Sequence, residues 1–401
     1  SHTFYRQELN AGHSIMLRYL NGGESHGKYL LAVLVGVPAG LPLTPDMVNS
    51  DLARRQKGYG RGGRMRVEED RVEFACGVRH GKTLGNPIGL LVANKDWENW
   101  KDVVAVEPGQ APPAKVVTRP RPGHADLVGA IKYGHRDIRN VLEKASARET
   151  AIRVAIGGVA KALLGQFGMR VVSYTMEIGG VTATRINDPL VAYDQAERSD
   201  VRCPDEAAGA QMIERIRAAK HKGDTLGGVF EVVATNSPIG LGSYAQWDRR
   251  LGARLAMAAM SIQAMKGVEI GMGFEAARRF GSEVHDEIYY EQGGKQFVRK
   301  TNNAGGLEGG ITNGQPIVLR VAMKPISTLY SPKKSVDIET KEPFDATVER
   351  SDICTVPAAG VVGEAVVAFE MANAMIEKFG GDSLEEMKRN YDAYQAYVRT
   401  F

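Results

Sequence analysis

Five residues near the start of the chain, Gly23–Gly27 in the sequence GESHG, carry two side chains that could do chemistry. The letters fit the pattern G-x-S-x-G, in which a strained turn between a strand and a helix exposes a nucleophilic serine. The residues after Gly27 are rich in Leu and Val and predict a strand that closes at Pro38, so the required helix is missing. Ser25 is therefore a poor candidate for a nucleophile. His26 is either a structural residue of the turn or an acid–base residue, because its glycine neighbours let a ligand approach closely.

A second glycine pattern, Gly58-x-Gly60-x-x-Gly63, matches the dinucleotide-binding fingerprint by letter. That fingerprint follows a strand and opens a helix. This copy follows a predicted helix and leads into RMRVEEDRVEF, whose alternation is typical of a strand. We therefore reject a dinucleotide site here. The arginines between these glycines indicate a basic loop, which either binds an anion or is simply solvated.

The segment RPRPGHADLVGAIKYGHRDIRNVLEKASARET, residues 119–150, is the densest in candidate functional groups. Its two Arg-Pro steps keep the backbone extended, and the Pro-Gly turn that follows presents His124. A helix is predicted from Asp137 to about Phe167, with a break around Gly157-Gly158. On that helix Lys144 and Arg148 are four residues apart and can face the same side. The alternative is an ordinary amphipathic helix with surface ion pairs.

A glycine-rich segment, NNAGGLEGGITNGQP, precedes the last predicted strand. Its backbone amides could bind a phosphate, or it could be a flexible surface loop. Lys324, Arg350 and Asp352 follow strand-like segments nearby, and each is a weak signal by itself.

Composition narrows the class of protein. The 401 residues carry a net charge of +4, and arginines crowd three short windows. No helix-turn-helix, zinc-finger or RNA-binding pattern accompanies them, so a small anionic ligand is favoured over nucleic acid. Three distant cysteines without C-x-x-C spacing predict a reducing, cytoplasmic compartment and no metal site. No run approaches the roughly 18 apolar residues of a membrane span, and no signal-peptide pattern opens the chain.

Predicted elements alternate between strands and helices. Strands are predicted at KYLLAVLVGVPAG, PIGLLVANKDW, MRVVSYTMEIGGV, GGVFEVVATNSPIG and PIVLRVAMKPIST; helices are predicted from Thr44, in RLAMAAMSIQAMKGV, and near residues 363–379 and 383–400. GKYLLAVLVGVPAGL and GDTLGGVFEVVATNSPIGL form a weak repeat, which hints at a duplicated α+β plan. Residues 1–15 are predicted to be an N-terminal extension, and no flexible linker divides residues 16–401 into separate domains.

In this order, several segments closely resemble the chorismate synthase family. They are GESHG, ARRQKGYGRGGRM, GVRHGKTLGNPIGLLVANKDW, residues 119–150, SIQAMKGVEIG, NNAGGLEGGITNGQPIVLRVAMKPIST and RSDICTVPAAGVV. The resemblance runs from Met16 to about Phe379 and implies a single α+β domain, a β-α-β layered sandwich that assembles as a homotetramer. It also implies conversion of 5-enolpyruvylshikimate 3-phosphate to chorismate and phosphate, a 1,4-anti elimination that needs reduced FMN without net redox change. We expect an external reductant for the flavin, and neither a nucleic acid nor a membrane as partner.

The resemblance also implies roles for particular residues. Catalytic roles fall on His26 beside the substrate and its leaving phosphate, on His124 near the flavin and on Asp352. Substrate contacts fall on Ser25, Arg55, Arg61, Arg121, Ser146, Arg148 and Arg350. Flavin contacts fall on Lys144, Ala145, Ser146, Gln263, Ala264, Gly309, Lys324, Pro325, Ile326, Ser327, Thr328 and Arg350. The family usually has arginine where this chain has Lys144, so the charge is kept but the planar fork is lost.

Two other classes of function stay open at this point. An FMN-dependent oxidoreductase acting on a small anionic substrate would use the same flavin pocket but would consume NADPH or NADH in step with product. A binding protein for phosphate ligands or RNA would rest on the basic windows alone, and a steep salt dependence of nucleic-acid binding would support it.

Overall fold

The computed structural model describes residues 16–62, 69–109, 112, 115–294, 296–349 and 351–401. The predicted extension at residues 1–15 lies outside this range, as do Gly63 and Arg350. The strands are β1 (Arg18–Gly22), β2 (Tyr29–Val35), β3 (Val72–Cys76), β4 (Val78–Arg79), β5 (Lys82–Thr83), β6 (Ile88–Ala93), β7 (Arg170–Ile178), β8 (Val181–Thr182), β9 (Gly228–Thr235), β10 (Met265–Ile270), β11 (Ile288–Glu291), β12 (Gln296–Arg299), β13 (Leu307–Glu308), β14 (Ile311–Thr312), β15 (Ile317–Met323), β16 (Lys334–Val336) and β17 (Pro343–Asp345). The helices are α1 (Pro45–Gln56), α2 (Asp126–Tyr133), α3 (Arg139–Ala145), α4 (Thr150–Gly165), α5 (Pro189–Ala196), α6 (Glu206–His221), α7 (Leu251–Met260), α8 (Gly281–Val284), α9 (Val356–Phe379) and α10 (Leu384–Thr400).

Two antiparallel sheets carry most of the strands. The first has the order β1-β2-β6-β3 and the second the order β10-β15-β9-β7-β8. Side chains alternate along β2, where Leu30, Ala32 and Leu34 are buried while Leu31 and Val33 are exposed. This period of two is what a sheet with one covered face requires. The chain is thus a mixed helix-and-strand protein, in agreement with the predicted α+β class.

Helices α4 and α9 pack against each other and lie between the two sheets. Helix α4 contacts β2 and β6 of the first sheet and also β7 of the second, whereas α9 contacts β7 and β9 of the second sheet. The predicted break at Gly157-Gly158 is wrong, because α4 runs unbroken through both glycines. A Cβ atom at Gly157 would lie 2.3 Å from Cβ of Ala365 on α9. These glycines therefore permit close helix packing, and the helical segment breaks instead at Ser146, which is extended.

Replacing Gly157 with alanine is expected to destabilise the protein by about 3 kcal/mol, because overpacking at rigid backbone forces both helices apart. Gly165, the last residue of the same helix, has open space at its Cβ position. Gly165→Ala is therefore the matched control, and helix propensity predicts a gain of up to about 1 kcal/mol. Urea unfolding followed by circular dichroism measures both changes, and equal midpoints for the two variants would contradict this account of α4–α9 packing.

One further predicted element differs from the structure. The segment RLAMAAMSIQAMKGV was assigned to a single helix, but α7 ends at Met260 and β10 begins at Met265. Between them, Ala264 has φ +70°, which a helix excludes. The helix that begins at Pro45 and the last closing helix are confirmed, whereas the first closing helix begins at Val356 rather than near residue 363. In the predicted strand RMRVEEDRVEF, residues 64–68 lie outside the described range and β3 begins at Val72.

The two strands of the predicted repeat, β2 and β9, end in the same hydrogen-bond pattern. After β2, Thr83 Oγ1 donates to the carbonyl of Pro38 (2.6 Å) and accepts from the backbone N–H of Leu41 (3.0 Å). After β9, Thr312 Oγ1 donates to the carbonyl of Pro238 (2.6 Å) and accepts from Leu241 (2.8 Å). Each threonine begins one of two similar sequences, TLGNPIGLLVANK and TNGQPIVLRVAMK. The first sequence contains β6 and the second contains β15.

Helix α9 corrects the expectation that no segment is apolar enough for a membrane span. Its 24 residues have a mean hydropathy of 1.4 in the most apolar window, which satisfies that test by length and composition. However, 94% of that window is buried inside the fold. Helix α9 is therefore the central core helix rather than evidence for a membrane.

Candidate functional site

The turn between β1 and β2 carries Ser25 and His26, and Glu143 near the end of α3 holds both. The backbone N–H of Ser25 donates to the carbonyl oxygen of Glu143 (3.0 Å), and that of His26 donates to Glu143 Oε2 (2.8 Å). The ring Nδ1 of His26 lies 2.9 Å from Oε1 and 3.1 Å from Oε2 of the same carboxylate. Ser25 is buried as well. The position of the imidazole is therefore fixed by a neighbouring helix.

Asn94, directly after β6, connects this turn to Arg148. Its side-chain amide donates to the carbonyl oxygens of Gly27 (2.5 Å) and Glu24 (3.2 Å). Its Oδ1 atom accepts from Arg148 Nε at 2.8 Å. One amide thus fixes the relative positions of the histidine turn and a predicted substrate arginine.

Arg55 and Arg148 share one buried carboxylate, that of Asp70. Arg148 Nη1 lies 2.6 Å from Oδ1, and Arg55 Nη1 lies 3.3 Å from Oδ2. Arg55 also donates to Thr150 Oγ1 (2.9 Å). Burial lowers the pKa of Arg55 to about 9. The charge of Asp70 favours a higher pKa but does not offset the effect of burial, and the charge of Arg148 lowers the pKa further. Two guanidinium groups thus lie beside one another, and guanidinium groups bind phosphate and carboxylate strongly.

Asp352 pairs with the basic loop that follows α1. Arg61 Nε lies 3.2 Å from Asp352 Oδ2, and the backbone N–H of Gly62 donates to Oδ1 of the same residue. Arg55 is close enough for the charges of Arg61 and Asp352 to affect its pKa. The structure therefore brings a predicted catalytic aspartate next to two predicted substrate arginines. Arg350, predicted to contact both ligands, lies outside the described residues.

His124, in the turn before α2, is held by Asp126. Its Nδ1 atom lies 2.5 Å from Asp126 Oδ1. Arg121 binds the same carboxylate through Nε (2.8 Å) and Nη2 (3.1 Å), and donates from Nη1 to Thr328 Oγ1 (2.8 Å). Burial favours a raised pKa for Asp126, but the hydrogen bonds of His124 and Arg121 hold that pKa well below its usual range. Arg121 thus connects His124 to the predicted flavin segment, and its role as a substrate ligand stays a prediction.

Lys324, directly after β15, contacts the turn that carries His124. Its Nζ atom donates to the carbonyl oxygen of Gly123 (2.6 Å), and its backbone N–H donates to the carbonyl of Ala264 (3.0 Å). Burial, with the nearby charge of Lys266, lowers the pKa of Lys324. Ala264 itself has φ +70°, a conformation that an alanine adopts at a cost in free energy and that is often found at ligand sites. These contacts place the predicted flavin residues of β15 and of the α7–β10 turn side by side.

Gln263 is anchored by Glu149. The Nε2 atom of Gln263 donates to Glu149 Oε2 (2.9 Å), while Asn21 donates to the other oxygen of that carboxylate (2.5 Å). Oε1 of Gln263 is buried and has no hydrogen-bond partner among the residues that the structure describes. Such an orphaned acceptor is unusual in a native interior, and a donor on a bound ligand would satisfy it.

Several other predicted residues lie along these two clusters. Lys144 and Ala145 end α3, and Ser146 Oγ accepts from the backbone N–H of Arg148 (3.2 Å). Lys144 and Arg148 are therefore not on one helix, which corrects the predicted shared face. Pro325, Ile326, Ser327 and Thr328 follow Lys324 along the chain. Gly309 is in the turn between β13 and β14 with φ +59°, and its nearest side-chain neighbour is Tyr244 rather than another predicted site residue.

Sequence reasoning missed the residues that hold the predicted ones in place. They are Asp70, Asn94, Trp100, Asp126, Glu143 and Glu149. Asp126 could have been found from its place two residues after His124. The others are distant in sequence from their partners, and no local pattern marked them.

A separate cleft of about 450 Å³ lies beside the end of α1. Its lining residues include Arg54, Tyr59, Glu197 and Arg202. None of the predicted site residues lines this cleft, so it is distinct from the two histidine clusters.

The fold is α+β, and the candidate site contains several arginines and two histidines, each of which is held by a carboxylate. Comparisons with known proteins identify the family. A family model described as chorismate synthase matches residues 17–376. Chorismate synthases of Geobacter sulfurreducens and Geobacillus kaustophilus are each 57% identical over 96% of this chain and all of their own length. A crystal structure titled as a chorismate synthase superposes with a TM-score of 0.78 at 46% identity, covering 96% of this chain and 99% of that one.

The chain belongs to the chorismate synthase family. Its activity is therefore that of a lyase of the shikimate pathway, and the family implies a flavin cofactor.

Proposed function

We propose that this chain converts 5-enolpyruvylshikimate 3-phosphate to chorismate by 1,4-anti elimination of phosphate, with reduced FMN bound beside the substrate. One observation carries the proposal. Glu143, which holds His26, is followed within six residues by the predicted flavin contacts Lys144–Ser146 and by Arg148. The carboxylate that holds the proposed proton donor, the proposed cofactor contacts and a proposed anion ligand thus share one short segment.

The residues of the chain take complementary roles in this reaction. His26 is held at Nδ1 by Glu143, so a proton reaches the leaving phosphate from Nε2. Arg55, Arg61 and Arg148 provide positive charge for the phosphate and carboxylates, because guanidinium groups bind such anions strongly. Ser25, Ser146, Arg121 and Arg350 complete the proposed substrate contacts. The second histidine, His124, holds a proton beside the flavin at its Nε2 atom, and Asp352 assists the removal of the substrate proton.

The residues present fit a flavin phosphate and ring. Lys324, Ser327 and Thr328 offer charged and hydroxyl donors of the kind that a bound phosphate needs. The buried Oε1 of Gln263 offers an acceptor that has no partner among the described residues. When bound there, reduced FMN would supply transient electron transfer, and the reaction would have no net redox change. Ala264, Gly309, Pro325, Ile326 and Ala145 are proposed to shape this site through their backbone.

Lys324→Met is expected to raise the dissociation constant for FMN about 10- to 100-fold, because a hydrogen bond from a charged donor contributes about 1.5–3 kcal/mol. Lys95→Met is the matched control, since Lys95 follows the equivalent strand β6 and pairs with exposed Glu69 instead (3.1 Å). Flavin fluorescence titration measures both constants. Equal affinities in the two variants would exclude Lys324 from the flavin site.

We further propose that residues 16–401 form one domain, a β-α-β layered sandwich made of two repeats. Helices α4 and α9 contact the strands of the two sheets, which supports a helical layer between two sheet layers. Thr83 and Thr312 donate the same hydrogen bond to a proline carbonyl, which supports the duplication. A homotetramer is proposed because the outer face of the first sheet is apolar. There Leu20 is 78% exposed and lies opposite Val33, which is 45% exposed.

An external reductant, with NADPH as its electron source, is proposed to supply the reduced flavin in the cytoplasm. All three cysteines of the chain are free thiols, which suits a reducing compartment.

The decisive experiment measures phosphate release and chorismate absorbance anaerobically, with and without chemically reduced FMN, using 5-enolpyruvylshikimate 3-phosphate. Equal amounts of both products, formed only with reduced flavin and without its net consumption, are expected. Consumption of NADPH in step with product would instead identify an oxidoreductase. A folded, flavin-loaded sample that forms neither product would refute the proposed reaction.

A further inference from the structure

Glu143 makes more contacts with the histidine turn than one ion pair would require. Its carboxylate engages both the backbone N–H and the ring Nδ1 of His26, at 2.8 and 2.9 Å, while its own carbonyl oxygen accepts from Ser25. The carboxylate is almost completely buried, and the imidazole is 13% exposed. A buried acceptor that contacts two atoms of one residue fixes the rotation of the ring as well as its position.

Trp100 restrains the same imidazole from its face. The two rings are stacked, with centroids 3.9 Å apart and planes inclined by 24°. Two cations lie over the indole, Lys115 at 4.8 Å and Arg139 at 5.1 Å from the ring centroid. Arg139 also lies 3.4 Å from Glu143. The ring of His26 is thus held by a carboxylate at its edge and by an aromatic ring on its face.

The charges around this pair favour an ionised carboxylate. Burial favours a raised pKa for Glu143, but the hydrogen bonds and charge of His26, with help from Arg139, lower it overall. Among the residues that the structure describes, Lys115, over Trp100, and Glu349, which lies 3.3 Å from Arg139, also face this assembly.

We propose that Glu143 is the positioning residue for His26, fixing its ring so that Nε2 faces the leaving phosphate. This inference rests on the proposed function, because it assigns the reason why His26 acts as a proton donor. It also explains why the flavin contacts begin at the next residue, Lys144. A displacement of the carboxylate would move the proton donor and the cofactor contacts together.

Glu143→Gln tests the charge while keeping the shape of the side chain. Turnover is expected to fall about 100-fold with a KM within about threefold of wild type, because a neutral amide accepts a hydrogen bond from Nδ1 less strongly than a carboxylate does and no longer fixes the ring. Glu143→Asp keeps the carboxylate, so its turnover should stay closer to that of wild type than the turnover of Glu143→Gln.

Glu339→Gln is the control, because Glu339 pairs with Arg136 at the surface (3.6 Å). Its turnover should match wild type. A Glu143→Gln enzyme with wild-type turnover would overturn the proposal.

A measurement on the free enzyme separates this inference from the proposed function. Long-range ¹⁵N–¹H spectra of protein labelled at histidine report which ring nitrogen carries a proton. The His26 signal, identified by its loss in His26→Gln, is expected to show a proton on Nδ1 in wild type and a weaker preference for that nitrogen in Glu143→Gln. An unchanged signal refutes the role of Glu143, whereas failure of the wild-type enzyme to form chorismate refutes the proposed reaction.

Discussion

Replacing His26 with alanine is expected to lower turnover by about 10²- to 10⁴-fold, the usual contribution of a general acid. The substitution removes the ring that Glu143 holds at Nδ1 and that Trp100 stacks against. The leaving phosphate then departs without its proton donor. Chorismate absorbance under anaerobic conditions, with saturating substrate and reduced FMN, measures the loss.

Two controls make the result interpretable. His221→Ala changes an exposed histidine at the end of α6 and should leave turnover within twofold of wild type. The affinity of His26→Ala for oxidised FMN should also be close to wild type, because the proposed phosphate donors around Lys324 belong to the other cluster. Near-normal turnover in His26→Ala would remove this histidine from the mechanism.

Glu364→Leu is expected to destabilise the protein by about 3–5 kcal/mol, the largest stability effect that we predict. Glu364 is completely buried on α9 and pairs with three cations, Arg54 (2.8 Å), Lys161 (2.6 Å) and Arg202 (3.2 Å). Removing one partner of a buried ion pair leaves uncompensated charge, which costs far more than the loss of an exposed pair. The urea midpoint at pH 7 and fixed protein concentration measures the change.

Glu275 provides the matched control for Glu364. It also pairs with two arginines, Arg278 (3.4 Å) and Arg279 (3.1 Å), but at the surface. Glu275→Leu should therefore change stability by less than about 1 kcal/mol. A similar loss in both variants would show that burial is not what makes Glu364 important.

The same network predicts how wild-type stability depends on pH. Burial favours a raised pKa for Glu364, yet the charges of Lys161 and Arg54 lower it well below its usual range. A carboxylate with a depressed folded-state pKa contributes stability above its unfolded value, about 4.3, and this contribution is lost as the pH falls further. The destabilisation caused by Glu364→Leu should therefore diminish below about pH 4.

Most of the fold could be predicted from local patterns. The apolar alternation of β2 and the Thr-Pro-Asp start of α1 are signals carried by consecutive residues, and the structure confirms both elements. The break predicted in α4 failed because it depended on a contact between residues that are distant in sequence. Glycine disfavours helices in isolation, so Gly157 suggested a break. In the fold, however, Gly157 leaves space for Ala365, which is 208 residues away.

The sequence by itself determined the family, the α+β class and the candidate histidines and arginines, because long motifs and hydrophobic periodicity are local properties. Only the tertiary structure decided which carboxylates hold them. Glu143 reaches His26 across 117 residues, and Asp70 reaches Arg148 across 78. No periodicity encodes such pairs, since they form only when separate elements pack together and burial leaves each charge in need of a partner.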